Sequence, residues 1–537
     1  MAFFKSTFAR ALAAFLCIAA NAPLTTRLSA ATVGVTKVTA TRDTLFIQGA
    51  TGGNRLSLAE LQPHGDFAAR TNFASISLPE TSDDFSLEIP RFDGKRDRLF
   101  SSFVALREGG ASLAAAVGLP RFVERFENVA TYNTPFPIVS SKKGLQVQMV
   151  DDAIALGIKH AALNINFSQM IDLSRRTNSF PWEVDGHTIH FHRGYIESLD
   201  RQIGPLAEKG IVISLILLVY QAGDAELNRL LLHPNYDKSA PNRLGAFNTV
   251  TEEGARHFRA CVEFLADRYA HAHYGGRVVN FILGNEVNSH WFWANMGRVS
   301  METFAEDYLR TARIANTALR KTSSSARLYL SLEHHWNIRY PGGDAKQTFA
   351  GRPFLEYFNR QARAQGDFDW HLAFHPYPEN LFEPRTWNDK SATTNDNTPR
   401  ITFKNLELLP RFLRQPDFLH HGQPRRIILS EQGFHTVDKP DGERWQAAGY
   451  AYAYYKTANL PDIDSFILHR HVDHGAEGGL NLGLWARNTA GKSIAEPARK
   501  KLIYDVFLKA DTDQWREAFE FALPIIGIQR WEQLLPQ

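Results

Sequence analysis

The run 278–286, VVNFILGNE, is largely apolar until it ends on Asn285 and Glu286, and a second run, 426–434, RIILSEQGF, carries Glu431 after three apolar residues and a serine. Amide and carboxyl groups are costly to bury without partners. A lone glutamate in such a place serves equally well as a salt-bridge partner or a loop cap. Two of them, delivered by different strands to one place, offer paired acid and base chemistry. At roughly 5 Å apart, two negative charges raise one pKa, so a neutral acid and an anion coexist near neutrality. That pairing suits cleavage of a glycosidic bond, in which the leaving oxygen takes a proton while the opposite face of the sugar receives a nucleophile.

The elements that must position these residues are legible as a rhythm. Buried parallel strands read as continuous apolar runs, and such runs fall at 159–167, 211–220, 278–286, 327–335, 370–377, 426–434 and 465–472, with a first strand expected near 136–141. Between them, Phe258, Val262, Leu265 and Tyr269 share one helical face, as do Phe304, Tyr308, Ala312, Ala315 and Leu319. Cys261 lies on the first of these faces, which assigns it to packing. Eight strands alternating with helices predict an α/β fold, a (β/α)8 TIM barrel over 127–537 with a C-terminal helical extension. In such a barrel Glu286 closes strand four and Glu431 closes strand seven, both at the C-terminal mouth where chemistry sits. Residues 32–126 read differently: short alternating stretches separated by GGN, PHGD and FDGKRD turns predict an antiparallel β-sandwich domain.

Composition narrows the partners. Sixty basic and fifty-seven acidic residues give a formal charge of +3, without the basic tract of a nucleic-acid binder. Lys5 and Arg10 precede a short apolar run, 11–20, and small residues follow up to Ala31. This is the pattern of a cleaved signal peptide over 1–31, too short to anchor in a bilayer, and it predicts a secreted or periplasmic protein. No other stretch is long and apolar enough for a membrane span. After cleavage Cys261 is the one remaining cysteine, so no internal disulfide is expected and the core must hold the fold.

Three short motifs, in the right strand order, resemble those of a known group. GNE at 284–286, SEQGF at 430–434 and HPY at 375–377 resemble the acid/base, nucleophile and His-x-Tyr signatures of the retaining glycoside hydrolases of clan A, the cellulase- and mannanase-like barrels. The resemblance implies that Glu286 is the general acid/base, that Asn285 binds the sugar hydroxyl beside the reacting carbon, and that Glu431 is the nucleophile. It also implies that His375 and Tyr377 position and tune Glu431. The physical chemistry agrees, since an amide both donates to and accepts from a hydroxyl, and a phenol donating to a carboxylate stabilises the anion. The Arg and the Asn-x-His that often decorate earlier strands of the clan are absent here. Strand two ends in NINF instead, which assigns that polar work to Asn164 and Asn166. A secreted bacterial branch of the clan fits this combination.

The loops after the strands are long and rich in aromatics. Trp182, Trp291, Trp293, Trp336, Trp387 and Trp485 fall in or near them, and sugars pack their C–H faces on such rings. Of these, Trp291, Trp336 and Trp485 are expected to touch substrate, together with Asn166. Asp185-Gly186 in WEVDGHTIHF predicts a β-hairpin that narrows the mouth into a cleft. Glu333 and Asp473 are further mouth carboxylates, each a possible substrate ligand or alternative partner for Glu286.

Histidines in EHHW, HLAFH and HRHVDH support a rival reading as a metal-dependent barrel hydrolase, with His469 and His471 on one strand face. That reading leaves the pairing of Glu286 with Glu431 unused. A second rival is a non-catalytic carbohydrate-binding protein on a barrel scaffold. No phosphate loop, dinucleotide fingerprint or nucleophile elbow is present, and neither a cofactor nor a metal is expected. The expected function is a retaining glycoside hydrolase acting on a poly- or oligosaccharide.

Overall fold

The structure is a computed structural model that describes residues 33–64, 73–78, 83–107, 115–174, 178–270 and 277–535. The expected signal peptide lies outside the described residues. The described N-terminal part folds into two four-stranded sheets. One orders Arg125–Phe126, Gly34–Ala40, Thr44–Ala50 and Asp84–Pro90; the other orders Ala74–Ser77, Leu56–Leu61, Ser102–Arg107 and Ala116–Phe122. All pairings within them are antiparallel except that of Arg125–Phe126 with Gly34–Ala40. Period-two patterning explains the strands: Leu45 and Ile47 are buried while Phe46 and Gln48 face outward.

The rest is a closed barrel of eight parallel strands. They are β1 (Lys143–Gln146), β2 (His160–Asn166), β3 (Val212–Leu218), β4 (Val278–Leu283), β5 (Arg327–Glu333), β6 (Trp370–His375), β7 (Ile427–Gln432) and β8 (Ile463–Leu468). After them come α1 (Val150–Ala155), α2 (Arg193–Glu208), α3 (Glu252–Ala270), α4 (Met301–Thr322), α5 (Gly351–Ala364), α6 (Leu408–Leu413), α7 (Gly442–Ala458) and α8 (Leu502–Lys509), one per strand. Alternation along the strands separates two cores. Ala162, Ile216, Ile282, Tyr329, Ala373, Ile428 and Ile467 fill the barrel interior, and their neighbours in sequence, such as Leu163, Leu217, Phe281, Phe374 and Phe466, pack outward against the helices. Cys261 is buried in this outer layer.

Two expectations are corrected. The first strand is Lys143–Gln146, not 136–141, where Ile138 is 93% exposed. The strand was obscured because it opens on a lysine. Lys143 is buried, and its ammonium donates to the carbonyls of Phe507, Leu508 and Ala510 at the end of α8.

The predicted hairpin exists, pairing Phe180–Val184 with His187–Phe191, but it does not stand over the mouth. It lies on the flank against α3, where Trp182 Nε1 donates to Glu263 and the Trp182 ring meets Phe264 edge-on. Its tip reaches the N-terminal sheets: Asp185 accepts from the Asp97 backbone N–H at 3.2 Å and from Arg259 at 2.8 Å. Arg259 also pairs with Glu263 at 2.8 Å and lies 3.7 Å from the Phe100 ring centre. Asp97 is held by Arg91 at 2.7 Å, so a buried charge network joins the N-terminal sheets to the barrel.

Removing one member of such a network leaves its partners buried without a counter-charge. Arg259→Leu is expected to lower unfolding stability by about 3–5 kcal/mol. Urea unfolding measures this, and a loss under about 1 kcal/mol, the size expected of a surface ion pair, contradicts the network's role.

Candidate active site

Barrel closure brings the two glutamates together. A carboxylate oxygen of Glu286, one of Glu431 and a ring nitrogen of His375 all lie within 4.8 Å of one another. Each position has a local cause. After β4 the chain turns through Gly284 at φ +72° and Glu286 at φ 42°, ψ 51°. The left-handed backbone is costly for glutamate, about 1–3 kcal/mol. Here it is held by the Glu286 N–H, which donates to Ser331 Oγ on β5 at 3.0 Å. On β7 the pairing with β8 shifts register between Leu429 and Gln432, and this irregularity aims Glu431 into the mouth. Gly433 permits the crossing that follows, because a Cβ there would sit 2.2 Å from the His469 carbonyl oxygen.

His375, at the end of β6, bridges the site. Its Nδ1 lies 2.9 Å from Glu286 Oε1 and its Nε2 3.0 Å from Ser430 Oγ. The resemblance assigned both His375 and Tyr377 to Glu431. Instead His375 serves Glu286, and Tyr377 alone donates to Glu431 Oε1, at 3.2 Å.

The electrostatics separate the groups. Burial raises the Glu286 carboxyl above the ordinary range; the hydrogen bond and charge of His375 pull the other way, and Glu333 and Glu431 push it further up. Burial works against the charged form of His375, but Glu286 and the charges of Glu431 and Glu333 outweigh it and raise its pKa. The Tyr377 hydroxyl is pushed well up, first by burial and then by Glu431, Glu477 and Glu286. Glu286 is therefore biased towards its protonated form, with a hydrogen-bonded imidazole at its side.

Around this pair the cleft has two arms that both include Glu286, Trp293 and Glu431. One, over β1 to β3, is polar and is lined by Gln146, Asn164 and Tyr220. The other, over β4 to β6, is lined by Phe292, Tyr340, Tyr377 and Leu381. His469, His474 and Glu477, from the loop after β8, border both. Asn285 lines the polar arm.

Four expected substrate contacts lie elsewhere. Asn166 caps the short helix Phe167–Met170, its Oδ1 accepting from the Ser168 N–H, because the strand ends there; Asn164, two residues earlier, is the one that faces the cleft. Trp336 is 2% exposed and packs edge-on against Phe374 and Phe412 in the outer core. Trp291 is held by Asp237 at 3.1 Å, and Trp485 by Asp152 at 2.9 Å; neither lines either arm. Trp293 supplies the aromatic wall instead. Glu477 escaped notice, and its one signal is a solitary acid in the small-residue loop after the last strand, HGAEGG.

Glu333, Asp473 and His471 are each held by structural partners. Glu333 Oε1 accepts from Asn288 and Ser289, its Oε2 lies 2.6 Å from His335 Nδ1, and its pKa falls to about 2 as the His335 contacts overcome burial. Asp473 pairs with Lys501 at 2.9 Å. His469 and His471, after β8, both border the polar arm, and each is already partnered: His471 is buried with Nε2 2.8 Å from Asp152, and His469 Nε2 lies 3.1 Å from Glu477. Two compact groups of potential ligands exist among the described residues, Glu286–His375–Glu431 and Glu333–His334–His335. In each group a hydrogen bond joins two of the members directly, His375 to Glu286 and His335 to Glu333.

Because His375 holds the Glu286 pKa down against burial, His375→Ala is expected to move Glu286 titration to higher pH. The carboxylic-acid C=O stretch, assigned by subtraction of the Glu286→Gln spectrum, reads this directly. An unchanged or lower titration contradicts the assigned coupling.

Solved structures similar to the chain include a family 39 glycoside hydrolase from the gut symbiont Bacteroides cellulosilyticus WH2, at 14% identity over 86% of this chain and 78% of that one, with a TM-score of 0.43. They also include a hyperthermophilic β-glucosidase from Pyrococcus furiosus, at 15% identity over 70% and 86%, TM-score 0.43. A third is the endoglucanase Cel5A from the hyperthermophilic Thermotoga maritima, at 13% identity over 66% and 92%, TM-score 0.37. No curated protein matches the chain. Residues 135–534, from just before β1 through the C-terminal helices, match one protein family, and the chain belongs to it: the family of unknown function DUF5722.

Proposed function

We propose that this protein is a retaining glycoside hydrolase that cleaves a poly- or oligosaccharide by double displacement, with Glu431 as nucleophile and Glu286 as general acid/base. The observation that carries the reading is that a carboxylate oxygen of Glu286 and one of Glu431 lie within 4.8 Å of each other. Retaining enzymes hold their pair about 5–5.5 Å apart, whereas inverting ones leave about 6.5–9.5 Å for a water molecule.

In the first step a Glu431 oxygen attacks the anomeric carbon as the bond to the leaving oxygen breaks, and the Glu286 proton passes to that oxygen. The raised pKa of Glu286 suits it to hold this proton. In the second step Glu286, now a carboxylate, takes a proton from water, whose oxygen attacks the anomeric carbon and frees Glu431. Two inversions return the original configuration. The Tyr377 hydroxyl, donating to Glu431, orients the attacking carboxylate and stabilises it on departure. Asn285 offers a donor and an acceptor to the hydroxyl beside the reacting carbon. The cleft continues on both sides of the pair, which suits sugars bound on both sides of the scissile bond.

In this reading the catalytic barrel spans 127–537, the N-terminal sheets over 32–126 form a β-sandwich module, and the leader over 1–31 directs the protein out of the cytoplasm. No helix among the described residues is long and apolar enough to cross a membrane.

A screen of polysaccharides, with proton NMR of the first-formed product, tests the proposal. The expected result is retained configuration, no turnover by Glu431→Gln, and a loss of about 10²–10⁴-fold in kcat/KM in Glu286→Ala on natural substrates but little loss of kcat/KM on dinitrophenyl glycosides, whose turnover is then limited by the second step. Inverted product, or full activity in either variant, overturns it.

A further inference from the structure

A third carboxylate stands beside the catalytic pair, and neither the proposed chemistry nor the packing uses it fully. Glu477 lies in the loop after β8 and borders both arms of the cleft. Its Oε1 is held by two donors, His469 Nε2 at 3.1 Å and a guanidinium nitrogen of Arg470. Its Oε2 has no hydrogen-bond partner among the described residues. Burial works to raise its pKa, but His469 and Arg470 outweigh that and hold it down at about 2, so the group is an anion at any physiological pH.

The surroundings fix it in place. His469 Nδ1 bonds Gln146 Oε1 on β1, and Gln146 Nε2 donates to Asn164 Oδ1 on β2 at 3.1 Å. This chain of bonds runs Arg470, Glu477, His469, Gln146, Asn164 along the polar arm. Each member has one side occupied by the next, and at its two working points one atom is left over: Glu477 Oε2, an acceptor, and Asn164 Nδ2, a donor. Asn164 is exposed within the cleft. A rigid carboxylate oxygen with an amide donor on the same wall matches sugar hydroxyls, which each donate once and accept twice. Charge-assisted bonds of this kind are the strong ones.

Charge adds a selection. Arg470 spends one guanidinium nitrogen on Glu477, and Glu286 and Glu431 are close enough to Glu477 for all three to act on the Tyr377 hydroxyl. A sugar bearing its own carboxylate or sulfate would meet the anion of Glu477 beside the carboxyl pair, and the one cation of that loop lining the arm, Arg470, already has its charge paired with Glu477. Resting on the glycosidase reading above, we propose that Glu477 is a specificity-determining residue, whose free oxygen, together with the Asn164 amide, receives hydroxyls of a neutral sugar ring beside the catalytic pair and excludes an acidic one.

The test uses the full chain with nitrophenyl glycosides of neutral mono- and disaccharides, their uronic-acid counterparts, and monodeoxy forms of whichever neutral glycoside is cleaved. The expected wild-type result is a strong preference for the neutral ring and a loss in kcat/KM of about 100-fold or more for at least one deoxy form, as for sites built around a substrate hydroxyl. In Glu477→Gln both the deoxy penalty and the bias against the uronic acid shrink, about tenfold or more. Both are ratios within one protein, so a partly folded variant does not distort them, and the wild-type ratios stand without it. Preference of the wild type for the acidic ring, or deoxy penalties equal in the two proteins, overturns the inference. Absence of release from every glycoside and polysaccharide by the wild type instead overturns the glycosidase reading beneath it.

Discussion

Two carboxyl groups and an imidazole confined within 4.8 Å of each other are the constraint on which the rest depends. In a partly dry cleft, like charges that close resist ionising together, and burial with the neighbouring charges raises both the Glu286 carboxyl and the His375 imidazole, which compete for a proton. The surrounding structure decides where it rests. His375 and burial act on Glu286 in opposite directions and leave it raised, while Tyr377 offers its hydroxyl to Glu431 alone. The asymmetry between the two glutamates comes from these neighbours, since the glutamates themselves are chemically the same.

Holding that cluster takes most of the barrel. Glu286 sits on a left-handed turn that Ser331 of the next strand secures, and Glu431 leaves its strand at a register shift that Gly433 allows to close against β8. Below, the apolar interior layer from β2 to β8 prevents the mouth from collapsing inward. Outside, helices and the N-terminal sheets brace the wall, the latter through Arg259, Asp185 and Asp97. The N-terminal sheets are thus tied to the scaffold through buried charge, and the hairpin expected to shape the cleft is spent on that tie.

Much of this was legible in the residues, and the exceptions have physical reasons. Seven strands announced themselves because a strand buried on both faces is apolar throughout. The eighth opens on Lys143, whose ammonium donates to carbonyls distant in sequence, which no local pattern can reveal. Glu286 and Glu431 were visible because a carboxylate at the end of an apolar run stands out. Direction was harder: Trp293 faces the cleft while Trp291, two residues earlier on the same turn, is fastened to Asp237, and Trp336 points into the core. A side chain's type is written in the sequence, but the bond that captures it comes from elsewhere in the chain. The same holds for Glu477, whose role rests on His469, Arg470 and the free oxygen they leave.

The measurement that tests the central claim most directly is covalent trapping. A 2-deoxy-2-fluoro glycoside with a dinitrophenolate leaving group slows release of the glycosyl-enzyme more than its formation, and peptide mass spectrometry then locates the sugar. The account predicts one fluoroglycosyl group, carried by Glu431. A label on any other residue, or steady turnover of natural substrate with inverted product and no label, would contradict it.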